Sequence, residues 1–330
     1  MFRNWIDPLE PIHLLKRLRR DPALRQRILG RIRPGRTARV ITTWSDTGRS
    51  PDHWWEIPLI RERMRRMITG DAGLPYQEYV VRRHLRAATP YTALSLGCGS
   101  GEKEVEWAGT GRFRSIDAYD ISASRIKSAR ESLESTPFGE IIRYQVGDAH
   151  RLNLPPDTYD AVLFDHALHH FSSLDSLLLR VGGTLRPGGI VVANEFIGPS
   201  RFQWTDRQLE AVNELLAGFP PRYTTRRASM LSREKVRRPS KLAMWLSDPS
   251  EAVESSEIMP LIHKHFDVLE ERCYGGAILH LLYSGIAHHF VSPDEEALHL
   301  LERSMSVEDA LLHAGEIGHD FALVVARKQE

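Results

Sequence analysis

Ala93-Leu-Ser-Leu-Gly97-Cys98-Gly99-Ser-Gly101-Glu-Lys-Glu104 is the stretch whose reading decides the fold. A short apolar run of strand character ends in glycines at alternate positions, and a helix-forming segment follows. Glycine permits left-handed dihedrals and lets a bulky ligand approach the backbone closely. A strand–turn–helix of this kind belongs at the carboxyl edge of a doubly wound sheet, where nucleotide-like cofactors bind. A dinucleotide fingerprint would require G-x-G-x-x-G. Counted from Gly97 the third glycine position holds Glu102, and counted from Gly99 it holds Glu104, so neither frame fits.

The segments downstream repeat the same alternation. Ser115–Tyr119 reads as a second strand ending at Asp120, 21 residues after Gly99. A carboxylate at that distance can accept hydrogen bonds from both hydroxyls of a ribose. Ser122 is placed to cap a helix whose one face carries Ile126, Ala129 and Leu133. Ile141–Val146 is a third strand leading to Gly147-Asp148-Ala149, and Tyr159–Phe164 is a fourth leading to Asp165-His166-Ala-Leu-His169-His170. Leu185-Arg-Pro-Gly-Gly189 is a turn before a fifth strand, Ile190–Phe196.

Over residues 90–200 this order, with every motif at a strand's carboxyl end, resembles the class I methyltransferases that use S-adenosylmethionine. The resemblance implies an α/β fold, a doubly wound, mostly parallel sheet of seven strands, elaborated by an N-terminal helical extension and helical lid insertions. It implies that Gly97, Cys98, Gly99 and Gly101 form the cofactor turn, that Asp120 with Ile121 meets the ribose, and that Asp148 with Ala149 meets the adenine. Asp165 or His166 would lie under the methionine part or at the methyl. One departure is visible: the family usually carries an acid two residues before the first glycine, and this chain has Ser95 there.

Methyl transfer from a sulfonium is an in-line displacement, so the protein must hold acceptor and donor collinear. A hydroxyl acceptor also needs a base, and histidine titrates in the right range. The Leu-His-His segment followed by an acid just past the Arg-Pro-Gly-Gly strand resembles small-molecule O-methyltransferases acting on sugars. That resemblance assigns His169 as base and Glu195 as its orienting acid. Fifteen histidines include the pairs His263/His265 and His288/His289, but no ligand motif at metal spacing, so no metal is expected.

The bulk numbers frame these motifs. A chain of 330 residues with 42% hydrophobic and 26% charged residues is of ordinary globular composition. Cys98 and Cys273 are the two cysteines and suggest no disulfide framework; with no apolar leader at the start, a cytoplasmic location is expected. The net charge of +1 conceals eleven Lys/Arg against three acids in residues 1–40, where Ile12, Leu14, Leu15 and Leu18 interleave with the basic side chains. A basic amphipathic helix of this kind suits peripheral contact with an anionic membrane. A second basic stretch runs from Arg222 to Lys241 with Glu234 as its single acid and invites an anionic substrate.

Four regions follow: a helical extension (1–90) carrying Trp54 and Trp55, the cofactor-binding core (91–198), an insertion with helices and the basic stretch (199–262), and the last two strands (263–330). Three helices, 277–288, 294–304 and 307–314, are expected in an insertion at 276–320. Asp165-His-Ala-Leu stands where base-modifying RNA methyltransferases carry Asn/Asp-Pro-Pro-Tyr, which argues against nucleic acid as substrate. The expected activity is methylation of a hydroxyl on a polar small molecule, a sugar or saccharide-linked intermediate. The alternative is a lipid, isoprenoid or quinone-like acceptor methylated at a membrane surface.

Overall fold

The computed structural model describes residues 53–86, 89–227, 231–242, 244, 248 and 250–329. The basic segment 1–40, and with it the expected membrane contact, lies outside them. Two helices lead into the sheet, α1 (Pro58–Thr69) and α2 (Tyr76–His84). Pro58 at the first helical turn and Gly70 in the left-handed conformation after the last one bound α1.

The core then alternates strand and helix: β1 (Tyr91–Leu96), α3 (Glu102–Gly109), β2 (Phe113–Asp120), α4 (Ala123–Leu133), β3 (Ile142–Val146), β4 (Tyr159–Asp165), α5 (Leu174–Thr184) and β5 (Leu185–Phe196). The chain continues through α6 (Asp206–Ala217), α7 (Ile258–His265), β6 (Phe266–Cys273), α8 (Leu279–Tyr283), α9 (Glu295–His313) and β7 (Phe321–Lys328). The seven strands form one sheet in the order β3-β2-β1-β4-β5-β7-β6, and β7 runs antiparallel to both its neighbours. This is the doubly wound class I architecture.

Ala93, Leu94, Leu96, Val162, Phe164 and Val191 are all but inaccessible to solvent, as strands covered on both faces must be. The strand order reverses between β1 and β4, so their carboxyl ends part and leave a crevice there. Among the described residues no helix is long and apolar enough to cross a membrane.

Three elements differ from the sequence reading. The fifth strand starts at Leu185, because Tyr159 pairs with Leu185 and Ala161 with Ile190, so Arg186–Gly189 form a bulge inside the strand. The two helices expected at 294–304 and 307–314 are one helix, α9, in which the Ser304 hydroxyl donates to the Leu300 carbonyl at 2.6 Å. The helix expected over 277–288 is cut to Leu279–Tyr283 by Gly285, whose φ is 78°.

Candidate active site

The crevice at the strand tips is a cleft of about 410 Å³ that runs from the glycine turn to His169, His170 and Glu251. Its first half is built by the turn after β1 and the tips of β2 and β3. Gly97 has φ 80°, and a Cβ there would stand 2.7 Å from the Ala167 Cβ. Its N–H donates to the Tyr119 carbonyl at 2.7 Å, and that of Cys98 does so at 3.1 Å. Cys98 does not line the cleft, and burial raises its thiol well above the ordinary range.

Asp120 lies on the wall with both oxygens aimed by backbone. The Gly99 N–H donates to Oδ2 at 2.9 Å and the Ser122 N–H donates to Oδ1 at 2.8 Å. Burial raises its carboxyl, while these two donors and the Arg125 charge pull the other way. Ile121, Asp148 and Ala149 line the same half, and Arg180 holds their loop by donating to the Ala149 carbonyl at 2.9 Å.

Besides Cys98 and Gly99, Gly101 and Asp165 are sequence-assigned residues that do not line the cleft. A Cβ on Gly101 would lie 2.5 Å from the Tyr144 hydroxyl and 2.9 Å from the Ala129 Cβ, so this glycine seats α4 and β3 instead of admitting a ligand. Asp165 stands half-buried beneath α2, where it accepts from the Tyr76 hydroxyl and, at 3.2 Å, from Asn194 Nδ2; desolvation there raises it to about 6. It does not line the cleft. Ser95 donates at 2.6 Å to Glu104 in α3, so an acid still sits below the turn, supplied from nine residues downstream. Burial raises Glu104 to about 7, and its Oε2 has no hydrogen-bond partner among the described residues.

The second half of the cleft gathers His53, Trp55, His166, Phe196, Phe202 and Phe321 around the histidine pair, with His280 behind them. Trp55 stacks on His53 with ring centres 4.1 Å apart and on His166 with centres 5.5 Å apart. Trp54, its neighbour in sequence, is a core residue instead, fully buried against Phe321. His166 has φ 50° and its ring lines the cleft, held uncharged by burial, which lowers its pKa to about 3.

His169 sits in a single turn of 3₁₀ helix, Leu168–His170, on the β4–α5 connection. Its Nδ1 is 2.7 Å from Glu195 Oε2 at the end of β5, while Glu195 Oε1 accepts the Ala167 and Leu168 N–H groups, each at 2.7 Å. An accepting carboxylate selects the tautomer with the proton on Nδ1 and leaves the Nε2 lone pair free to act. Burial lowers His169 to about 3 and raises Glu195 to about 7, while the three donors oppose the second shift.

The insertion after β5 supplies one group that sequence reasoning missed. Glu251 stands with Oε1 3.7 Å from His169 Nε2 and Oε2 3.8 Å from His170 Nδ1. Burial, with Asp248 adding its charge, raises Glu251 to about 8. The next residue, Ala252, is buried with φ 46°, and the Val253 N–H donates to the His169 carbonyl at 3.1 Å. A strained backbone held by that bond therefore aims the carboxylate at the histidines. No local spacing pointed to Glu251, since its partners lie in a different region of the chain.

No described residue of the basic stretch from Arg222 to Lys241 lines this cleft. Arg233 is buried and donates to the Leu282 and Ser284 carbonyls at 2.7 Å each, Arg238 donates to the Trp204 carbonyl at 2.7 Å, and Arg222 pairs with Glu296. Arg233 and Arg222 tie the insertion to the segment between β6 and β7, and Arg238 braces the insertion internally.

A family profile described as a methyltransferase domain matches residues 94–193. A methyltransferase of Mycobacterium tuberculosis is 33% identical over 107 residues, which is 32% of this chain and 51% of that protein. The demethylmenaquinone methyltransferase of Symbiobacterium thermophilum is 27% identical over 129 residues, 38% of this chain and 51% of that protein. The 27-O-demethylrifamycin SV methyltransferase of Amycolatopsis mediterranei is 25% identical over 104 residues, 32% of this chain and 38% of that protein. The chain spans about half or less of the length of these relatives.

Proposed function

Residues 94–193 belong to the class I methyltransferase domains that use S-adenosylmethionine, and from that premise we propose that this chain methylates a hydroxyl of a small molecule, with His169 as the base. The observation that carries the reading is one continuous cleft with a backbone-pinned Asp120 at one end and the His169–Glu195 pair at the other. The lining of the first half fits the cofactor: Gly97 lines the turn, Asp120 offers a carboxylate to a ribose, and Asp148 with Ala149 would meet an adenine. When bound, S-adenosylmethionine supplies an activated methyl on a positively charged sulfur.

This chain's own residues then have two tasks. The cleft walls hold the acceptor in line and exclude water, and His169 Nε2 takes the hydroxyl proton as the oxygen becomes a nucleophile. Glu195 orients the imidazole and stabilises the imidazolium that forms, because its charge lies 2.7 Å from Nδ1. The walls around His169 are aromatic, with uncharged imidazoles at His166 and His280, each lowered by burial to about 3. That lining favours an acceptor with an apolar ring face over a bare saccharide. The same walls support the second reading, a lipid, isoprenoid or quinone-like acceptor, and one relative is named for demethylmenaquinone.

The test is S-adenosylhomocysteine formation from S-adenosylmethionine across a panel of phenolic, polyketide and sugar hydroxyls. His169→Ala should bind S-adenosylhomocysteine as the parent does while turnover falls by about 10²- to 10⁴-fold, the range for a lost general base. A His169→Ala protein with parental turnover would remove the base assignment.

A further inference from the structure

We propose that His169 Nε2, His170 Nδ1 and the Glu251 carboxylate form a binding site for a divalent first-row transition ion, and that this ion competes with the acceptor for His169. The three residues each turn one ligand atom to a common point, with all three atoms within 4.8 Å of one another. Two ligands bonded to one tetrahedral ion at about 2.0–2.1 Å stand about 3.4 Å apart. Glu251 approaches the pair with Oε1 3.7 Å from His169 Nε2 and Oε2 3.8 Å from His170 Nδ1, so closing one oxygen and both rings on a single ion draws the three side chains inward.

The surroundings are those of a ligand site. Glu195 holds His169 through Nδ1, the outer-shell carboxylate that fixes the ring orientation of a metal-bound histidine. The Ser250 backbone hydrogen-bonds the His170 ring. The left-handed Ala252 and the bond from Val253 to the His169 carbonyl tie the Glu251 segment to the histidine turn. All three residues line the cleft, so a fourth position is open to solvent or a small ligand. Two imidazoles and one carboxylate suit zinc, iron, cobalt or nickel better than magnesium or calcium, which prefer oxygen alone.

An ion here occupies the lone pair that the proposed reaction gives to the acceptor proton. The competition therefore rests on the methyltransferase reading, whereas ion binding does not. In calorimetry on the chelator-treated full chain with zinc chloride alone, one ion should bind per chain and magnesium chloride should give no signal. His169→Ala and Glu251→Gln should each weaken zinc binding at least about tenfold while S-adenosylhomocysteine affinity, the control for folding, stays parental. Absence of saturable zinc binding, or parental zinc affinity in both variants, overturns the site. Zinc should also inhibit turnover of the parent chain reversibly, with a chelator restoring it, and stimulation by zinc overturns the competition. If no acceptor is methylated at all, the proposed function fails and the calorimetry still decides the ion site.

Discussion

The two halves of the cleft are built in opposite ways. The cofactor half comes from three consecutive strand tips of one sheet, and its polar groups are aimed by backbone N–H groups a few residues away in sequence or across one strand pair. The acceptor half is assembled from the extension before the sheet, the β4–α5 connection, the insertion after β5, and the segments around β6 and β7. Of the six non-glycine residues with positive φ among those described, His166, Phe202 and Ala252 lie at or beside this half. Backbone that costs energy to hold collects where geometry must be specified by remote parts of the chain. The first half is a common frame for one ligand, and the second is the part free to differ with the acceptor.

The largest expected effect breaks the comparison if it fails. Asp120→Ala removes a carboxylate that can take two charge-assisted hydrogen bonds, together about 3 kcal/mol, so S-adenosylhomocysteine affinity should fall about a hundredfold by calorimetry. Parental affinity would mean that the first half does not grip a ribose. Gly101→Ala tests the frame itself. Its φ of 84° and the contacts with Tyr144 and Ala129 should cost about 2–4 kcal/mol of stability, read as a lowered thermal midpoint. A variant of parental stability would show that α4 and β3 can move apart under the turn.

This asymmetry also explains what was legible in the sequence. The glycine turn, Asp120 and the order of strands follow from local spacing, because most consecutive strands neighbour one another in the sheet, while Asp148 came with the family resemblance. The His169–Glu195 pair was legible through the resemblance that Leu-His-His carries, and the pairing of β4 with β5 brings the two side chains together. Gly101 was read as facing a ligand because spacing cannot tell which side of a turn a missing Cβ faces. Asp165 was misplaced because its partner Tyr76 lies on α2, before the core begins. Glu251, Phe202 and Phe321 carry no local signal, and the basic stretch, read as an anion site, holds arginines whose partners are carbonyls from other parts of the chain.

Trp55→Ala sharpens the contrast between the halves. Its ring is half-buried between His53 and His166 on the acceptor side, so its loss should raise the acceptor KM about tenfold, on the scale of one aromatic contact. Cofactor affinity should hold within twofold. A weaker grip on S-adenosylhomocysteine of equal size would merge the two halves into one.

The smallest effect lies outside both halves, on β6, and it concerns stability alone. Glu270 accepts from the Tyr79 hydroxyl at 2.6 Å, meets His84 Nε2 at 2.7 Å and Arg272 Nε at 2.8 Å, and pairs with Arg83 at 3.0 Å. Burial alone would raise its carboxyl, but these bonds and the Arg83 charge outweigh that and hold it at about 2. An ordinary glutamate titrates at about 4.3, so the folded state prefers the charged form. The stabilisation is therefore complete above about pH 4.3 and is lost as pH falls through about 2. Glu270→Gln should be less stable than the parent by about 1–2 kcal/mol at neutral pH in urea unfolding, with the gap closing below pH 4. A gap that is constant from pH 7 to pH 3 would mean that shape, not charge, ties α2 to the far edge of the sheet.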